Sequence, residues 1–186
     1  MKKKLLLALT FVTSIVISAN AQNYKKVKVD IGLGYAIPKG GESGGTKAGA
    51  TFTVEPHYRL SDALSVGVRF EGAGLGHLTN PGTNDEKVKV SVLTSYCATG
   101  EYYFSNTGFR PFAGAGLGFY KSSSVDIDSS TGSNFTTIPG ASEFGFFPRA
   151  GFETGHFRMS AEYNIIGGNA GYFAAKIGFF FGGGKK

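Results

Sequence analysis

Ten charged side chains hold most of the chemistry this chain can offer. Arg59, Arg69, Arg149, Arg158 and Lys176 supply five cations, and Glu55, Glu71, Glu101, Glu153 and Glu162 supply five carboxylates. A guanidinium cannot give up its proton, and it grips a carboxylate through two parallel hydrogen bonds. This mixture therefore points to mutual pairing. Covalent catalysis would need a nucleophile, a base and an orienting group together. The histidines are His57, His77 and His156, and no Ser–Asp/Glu partner set is indicated for them. Cys97, the single cysteine, reads as a small packing residue, because an activated thiol needs a nearby base. Asp126 and Asp128 read as solvated side chains of a polar loop. No Walker, Rossmann or zinc spacing occurs. The expectation is a chain that is not an enzyme and uses neither cofactor nor metal.

The elements that must position these charges alternate with period two. Eight strands are expected, at about residues 24–36, 47–59, 63–74, 87–103, 110–120, 146–154, 157–164 and 171–181. In the second, Ala50, Phe52, Val54 and Tyr58 oppose Thr53, Glu55, His57 and Arg59. In the seventh, Phe157, Met159, Ala161 and Tyr163 oppose Arg158, Ser160, Glu162 and Asn164. The first segment places Lys26, Lys28 and Asp30 on the polar parity, and the fifth places Phe112, Gly114, Gly116 and Gly118 there. Gly72, Gly74 and Gly76 dilute the third segment and Leu75 breaks its parity, so a bulge or a strand rising past the apolar zone is expected near 71–77. Connections PKGGESGGT, HLTNPGTNDE and SSSVDIDSSTGSNFTTIPGA are long and polar, whereas LSD, FSNTG and TG are short; only IGGNA departs from the alternation. The chain holds 29 glycines, roughly twice the usual share, with 17 Phe, 9 Tyr and no Trp.

Two assignments of the faces are possible. A soluble barrel would fill its core with the apolar set; a membrane barrel turns that set to lipid and the charges into the lumen. Three features favour the membrane. MKKKLLLALTFVTSIVISANA has the basic start, apolar stretch and small-residue cleavage site of a signal peptide ending at Ala21. The polar parity also carries Phe112, Tyr120, Phe147, Tyr172 and Phe180, residues a solvent face rarely uses. Opposite charges fall on successive strands. Within lipid the choice is forced, because one Arg or Lys facing the midplane costs roughly 2–4 kcal/mol. Five would cost roughly 10–20 kcal/mol, comparable to a whole protein's stability. The fold expected is all-β, an eight-stranded antiparallel up-and-down transmembrane β-barrel over 22–186, after a signal peptide at 1–21. Loss of that peptide takes three lysines from a net charge of +6, leaving +3, too little to argue for nucleic acid.

RPFAGAGLGFY (110–120), FPRAGFETGHFRMSAEYN (147–164) and AAKIGFFFGGGKK (174–186) resemble the small bacterial outer-membrane β-barrel domain family, which groups OmpX-, OmpA- and OmpW-like proteins. The resemblance implies a bacterial outer-membrane location, periplasmic termini, contact with outer-membrane lipids and lipopolysaccharide, and assembly by the barrel-assembly machinery and periplasmic chaperones. It also makes Phe179 and Phe181 the terminal-strand assembly signal, although Gly182-Gly183-Gly184-Lys185-Lys186 follows where the family usually ends on an aromatic residue.

A narrow eight-stranded lumen filled by the ten charges should be plugged. The leading functional expectation is a monomeric structural or surface-interaction protein working through its external loops, above all 121–142. A narrow channel is the alternative, with the glycines of strand five as its space; those glycines read better as relief where aromatic rings cross the lumen. A secreted ligand-binding barrel or a lipid-modifying enzyme stands behind both.

Overall fold

The computed structural model describes residues 23–39, 46–79, 87–127, 135–167 and 170–185. Eight strands run β1 (Val27–Pro38), β2 (Thr46–Arg59), β3 (Leu64–Thr79), β4 (Lys87–Tyr103), β5 (Phe109–Ile127), β6 (Phe135–Thr154), β7 (Phe157–Ile166) and β8 (Gly171–Gly182). Each pairs antiparallel with its sequence neighbours, and β8 returns to β1, with Val29 opposite Phe181 and Tyr35 opposite Ala175, to close the barrel. Closure leaves no free edge along the seam, so every strand finds its backbone partners within the chain. No helix among the described residues is long and apolar enough to cross a membrane.

The faces are inverted relative to a water-soluble protein. Leu33, Leu117 and Phe179 are 63%, 56% and 60% exposed on the outside, while Arg59 and Arg69 are 1% and 0% exposed inside. The strict period of two is what makes this possible, since one residue's slip would exchange the faces. Aromatic residues stud the outer surface, including Tyr58, Tyr102, Phe104, Phe109 and Phe181 near the short-turn end. Edge contacts such as Phe119–Phe144 and Phe157–Phe179 lock neighbouring outward side chains.

Two local expectations are corrected. The polar run after Tyr120 is mostly strand: β5 continues to Ile127 and β6 begins at Phe135, with Val125 opposite Thr137 and Ile127 opposite Phe135. Its β-branched residues suit a ladder, and strand beyond an apolar zone needs no apolar alternation. Of the two readings of the third strand, the bulge lies in its neighbour, and β3 itself runs on to Thr79. β3 keeps its parity through Ala73 and Leu75, while β2 shifts register between Lys47 and Ala50. Gly49 sits in that bulge, where a Cβ would come within 1.6 Å of the Gly74 carbonyl oxygen. Residues 1–21, expected to form a signal peptide, and Ser129, Ser130, Thr131 and Ser133 of the polar connection lie outside the described residues.

Candidate functional site in the barrel lumen

All ten charged residues singled out from the sequence point inward and are buried. Their grouping follows from register. Arg149 and Glu162 face each other across β6 and β7, and Glu153 faces Arg158 two inward positions nearer the turn, past the Gly151–Ser160 pair. Glycines opposite long side chains make room, as where Gly114 opposes both Glu101 and Arg149.

Two ion pairs cross the full width of the lumen. From β6, Arg149 donates Nη1 and Nη2 to the two oxygens of Glu55 on β2 at 2.7 and 2.5 Å. From β3, Arg69 Nη1 donates to Glu162 on β7 at 2.5 Å. The Arg69 Nη2 also reaches Ser95, Tyr120 and Asn164 at 3.0–3.1 Å, and its guanidinium lies 3.7 Å from the Phe147 ring centre. Lys176 bridges Glu71 and Glu162, while Tyr172 and Thr53 both donate to Glu71. Nearer the short turns, Arg158 joins Glu101 to Glu153. Arg59 stands 3.5 Å from Glu153. Buried charges are costly unless paired and hydrogen-bonded, and here nearly every head group meets several partners.

Four members of this network lie outside the ten charges singled out from the sequence. Lys28 contacts Glu153, donates to Tyr103 and lies 3.1 Å from Asp30. Arg110 donates to the Asp62 carbonyl at 2.6 Å. His57 lies 2.9 Å from Asp30 and 3.3 Å from Glu55. The signal was present, since Lys28, Asp30 and His57 sit on the charge-bearing parity and Arg110 shares parity with Phe112.

Glu55, His57 and Glu101 bring three metal-ligand atoms within 4.8 Å of one another. Their chemistry does not suit a cation, because Arg149 and Arg158 already occupy the Glu55 and Glu101 oxygens. A cavity of about 30 Å³ beside Asp30, Glu55, Arg149, Arg158 and Ser160 has room for a water molecule. Toward the other end the lining turns apolar, with Ala36, Ala73, Cys97, Tyr120, Phe147, Ile166, Tyr172 and Ala174 in one cluster joined by Leu75 and Leu93. Phe179 and Phe181 project outward instead, on the apolar face of the last strand.

Residues 5–171 match the model of the outer membrane protein beta-barrel domain family. Among solved structures, neisserial surface protein A (NspA) is similar at 15% identity and a TM-score of 0.53, covering 84% of this chain and 95% of that one. The outer membrane protein OprG from Pseudomonas aeruginosa is similar at 14% identity and a TM-score of 0.52, covering 87% and 98%. At such identities the likeness is one of fold. No curated protein matches the chain.

Proposed function

The chain belongs to the outer membrane protein beta-barrel domain family, and within the bacterial outer membrane we propose that it serves as a closed structural barrel presenting its external loops as a contact surface. The observation that carries this reading is the pair of bridges across the lumen. Arg149–Glu55 and Arg69–Glu162 each join strands four places apart in an eight-strand ring, so side chains occupy the diameter. Removing Arg149 would take from Glu55 its two-point partner, and removing Glu162 would take from Arg69 its nearest carboxylate, so each loss uncovers a buried charge, which holds the plug in place. Solutes then have no axial path, and function falls to the outer surface and the loops joining β1–β2, β3–β4 and β5–β6. The apolar girdle binds outer-membrane lipid and lipopolysaccharide, the barrel works as a monomer, and residues 1–21 are removed on export. In biogenesis Phe179 and Phe181 present the terminal signal to the barrel-assembly machinery, after periplasmic chaperones have carried the unfolded chain.

Planar-bilayer recording tests the closed barrel. The protein extracted from outer membranes should insert without resolved conductance steps. Regular open-channel steps would overturn the plug and favour a narrow conduit.

A further inference from the structure

We propose that the two ends of the chain form a clasp that stoppers the lumen at its short-turn mouth, with the ring of Tyr24 as the stopper. The inference rests on the closed-barrel reading above and extends it to the chain segments outside the strands.

The C-terminal tail does not trail away from β8. Gly182 and Gly183 take φ values of 72° and 61°, the left-handed region in which glycine is free of the Cβ penalty. The turn brings the tail beneath the barrel, where the Gly183 amide donates to the Val27 carbonyl at 2.8 Å. Lys25 then donates its amide to Gly184 at 2.9 Å, and Tyr24 and Lys185 form an antiparallel bridge. The Gly-Gly-Gly-Lys stretch that follows the terminal aromatic residue thus pairs with the N-terminal strap.

The strap itself is anchored across the mouth. The Asn23 amide donates to both Asp62 oxygens at 3.0 Å, and the Tyr24 amide to one of them at 3.2 Å. The Tyr24 hydroxyl donates to the carbonyls of Asn106 and Thr107 at 3.1 and 3.3 Å. These contacts reach the β2–β3 and β4–β5 turns as well as the tail. Between them the Tyr24 ring is 6% exposed. The Arg110 and Arg59 guanidinium carbons lie 4.0 and 5.0 Å from its centre, and 4.3 and 5.5 Å from that of Tyr103. Two tyrosine rings and two guanidinium groups therefore stack at the foot of the charge network. A cation over an aromatic face is held more strongly as water is excluded. A cleft of about 250 Å³, lined in part by Tyr24, Arg110, His156 and Lys185, leads up to this stack.

A buried cysteine reports whether the stopper seals. Ser65 is 0% exposed and lies opposite Arg59 and Glu101, just inside the stack. S65C in a C97S background leaves one thiol in the protein, which would be extracted from outer membranes in detergent. Its modification by a small, positively charged methanethiosulfonate reagent would be timed. The thiol should react slowly in the parent. Y24A should speed modification on the order of tenfold, the scale of losing two partly desolvated cation–π contacts, and D62A should speed it in the same direction by freeing the strap from the β2–β3 turn. D62A leaves the aromatic stack intact and only unfastens the strap, so it answers the question even if Y24A does not fold. Unchanged rates in variants that still migrate as closed barrels would overturn the clasp and leave the plugged lumen standing. Fast modification of the parent itself would overturn the plugged lumen, and the clasp with it.

Discussion

Arg149 carries the sharpest prediction at the scale of a single residue. Its guanidinium is shared between Glu55 and Glu101, so R149L takes from Glu55 its two-point partner and leaves Glu101 to Arg158 alone. The expected loss is about 3–5 kcal/mol, typical of breaking one side of a buried pair. The midpoint of denaturant unfolding in detergent measures it. Removing Glu55 as well should recover part of the loss, because Glu101 keeps Arg158. A double variant as unstable as the sum of the single ones would show that the bridge is not coupled. The inward direction of these residues was legible from parity alone. Their partners were not, because a bridge between β2 and β6 depends on the circumference of the closed ring, and alternation along one strand carries no such information. Lys28 and Asp30 stand on the polar parity of the first strand but were not joined to the charge set, because partners on other strands such as Glu153 and His57 cannot be read along one strand. Arg110 escaped because it opens β5.

At the scale of the element, β5 shows how backbone and lumen fit together. Gly116 opposes Phe147, and a Cβ there would stand 2.4 Å from that ring. The glycine gives the ring its berth, which agrees with the reading of relief where aromatics cross. G116V should displace Phe147 and weaken its stacking on Arg69, costing about 1–3 kcal/mol as other overpacked sites do. Combining G116V with F147A should restore part of the loss, measured by the same unfolding midpoint; no recovery would place the strain elsewhere. Strand number and the short turns were readable because apolar alternation persists wherever a strand meets lipid. The upper halves of β5 and β6 were not, since serines and threonines interrupt any sustained apolar alternation across 121–142. Their strand is defined instead by cross-strand pairing, such as Asp126 opposite Thr136. The same limit applies to the bulge in β2, which is visible only as a change of partner between Lys47 and Ala50.

For the whole molecule, the central claim is that the apolar parity faces lipid and the charged parity faces the lumen. L117R, placed outward near the middle of β5, should cost roughly 2–4 kcal/mol in a bilayer, and much less if that face meets water. The absence of tryptophan permits a more direct measurement. Leu117 and Phe112 lie on opposite faces of the same strand, the first 56% exposed and the second 2%. L117W and F112W would each supply a single fluorophore, to be read in bilayers whose acyl chains carry bromine. Strong quenching of L117W with little quenching of F112W is the expected result. Strong quenching of F112W with none of L117W would contradict it, placing the apolar set in a core and the charges outside.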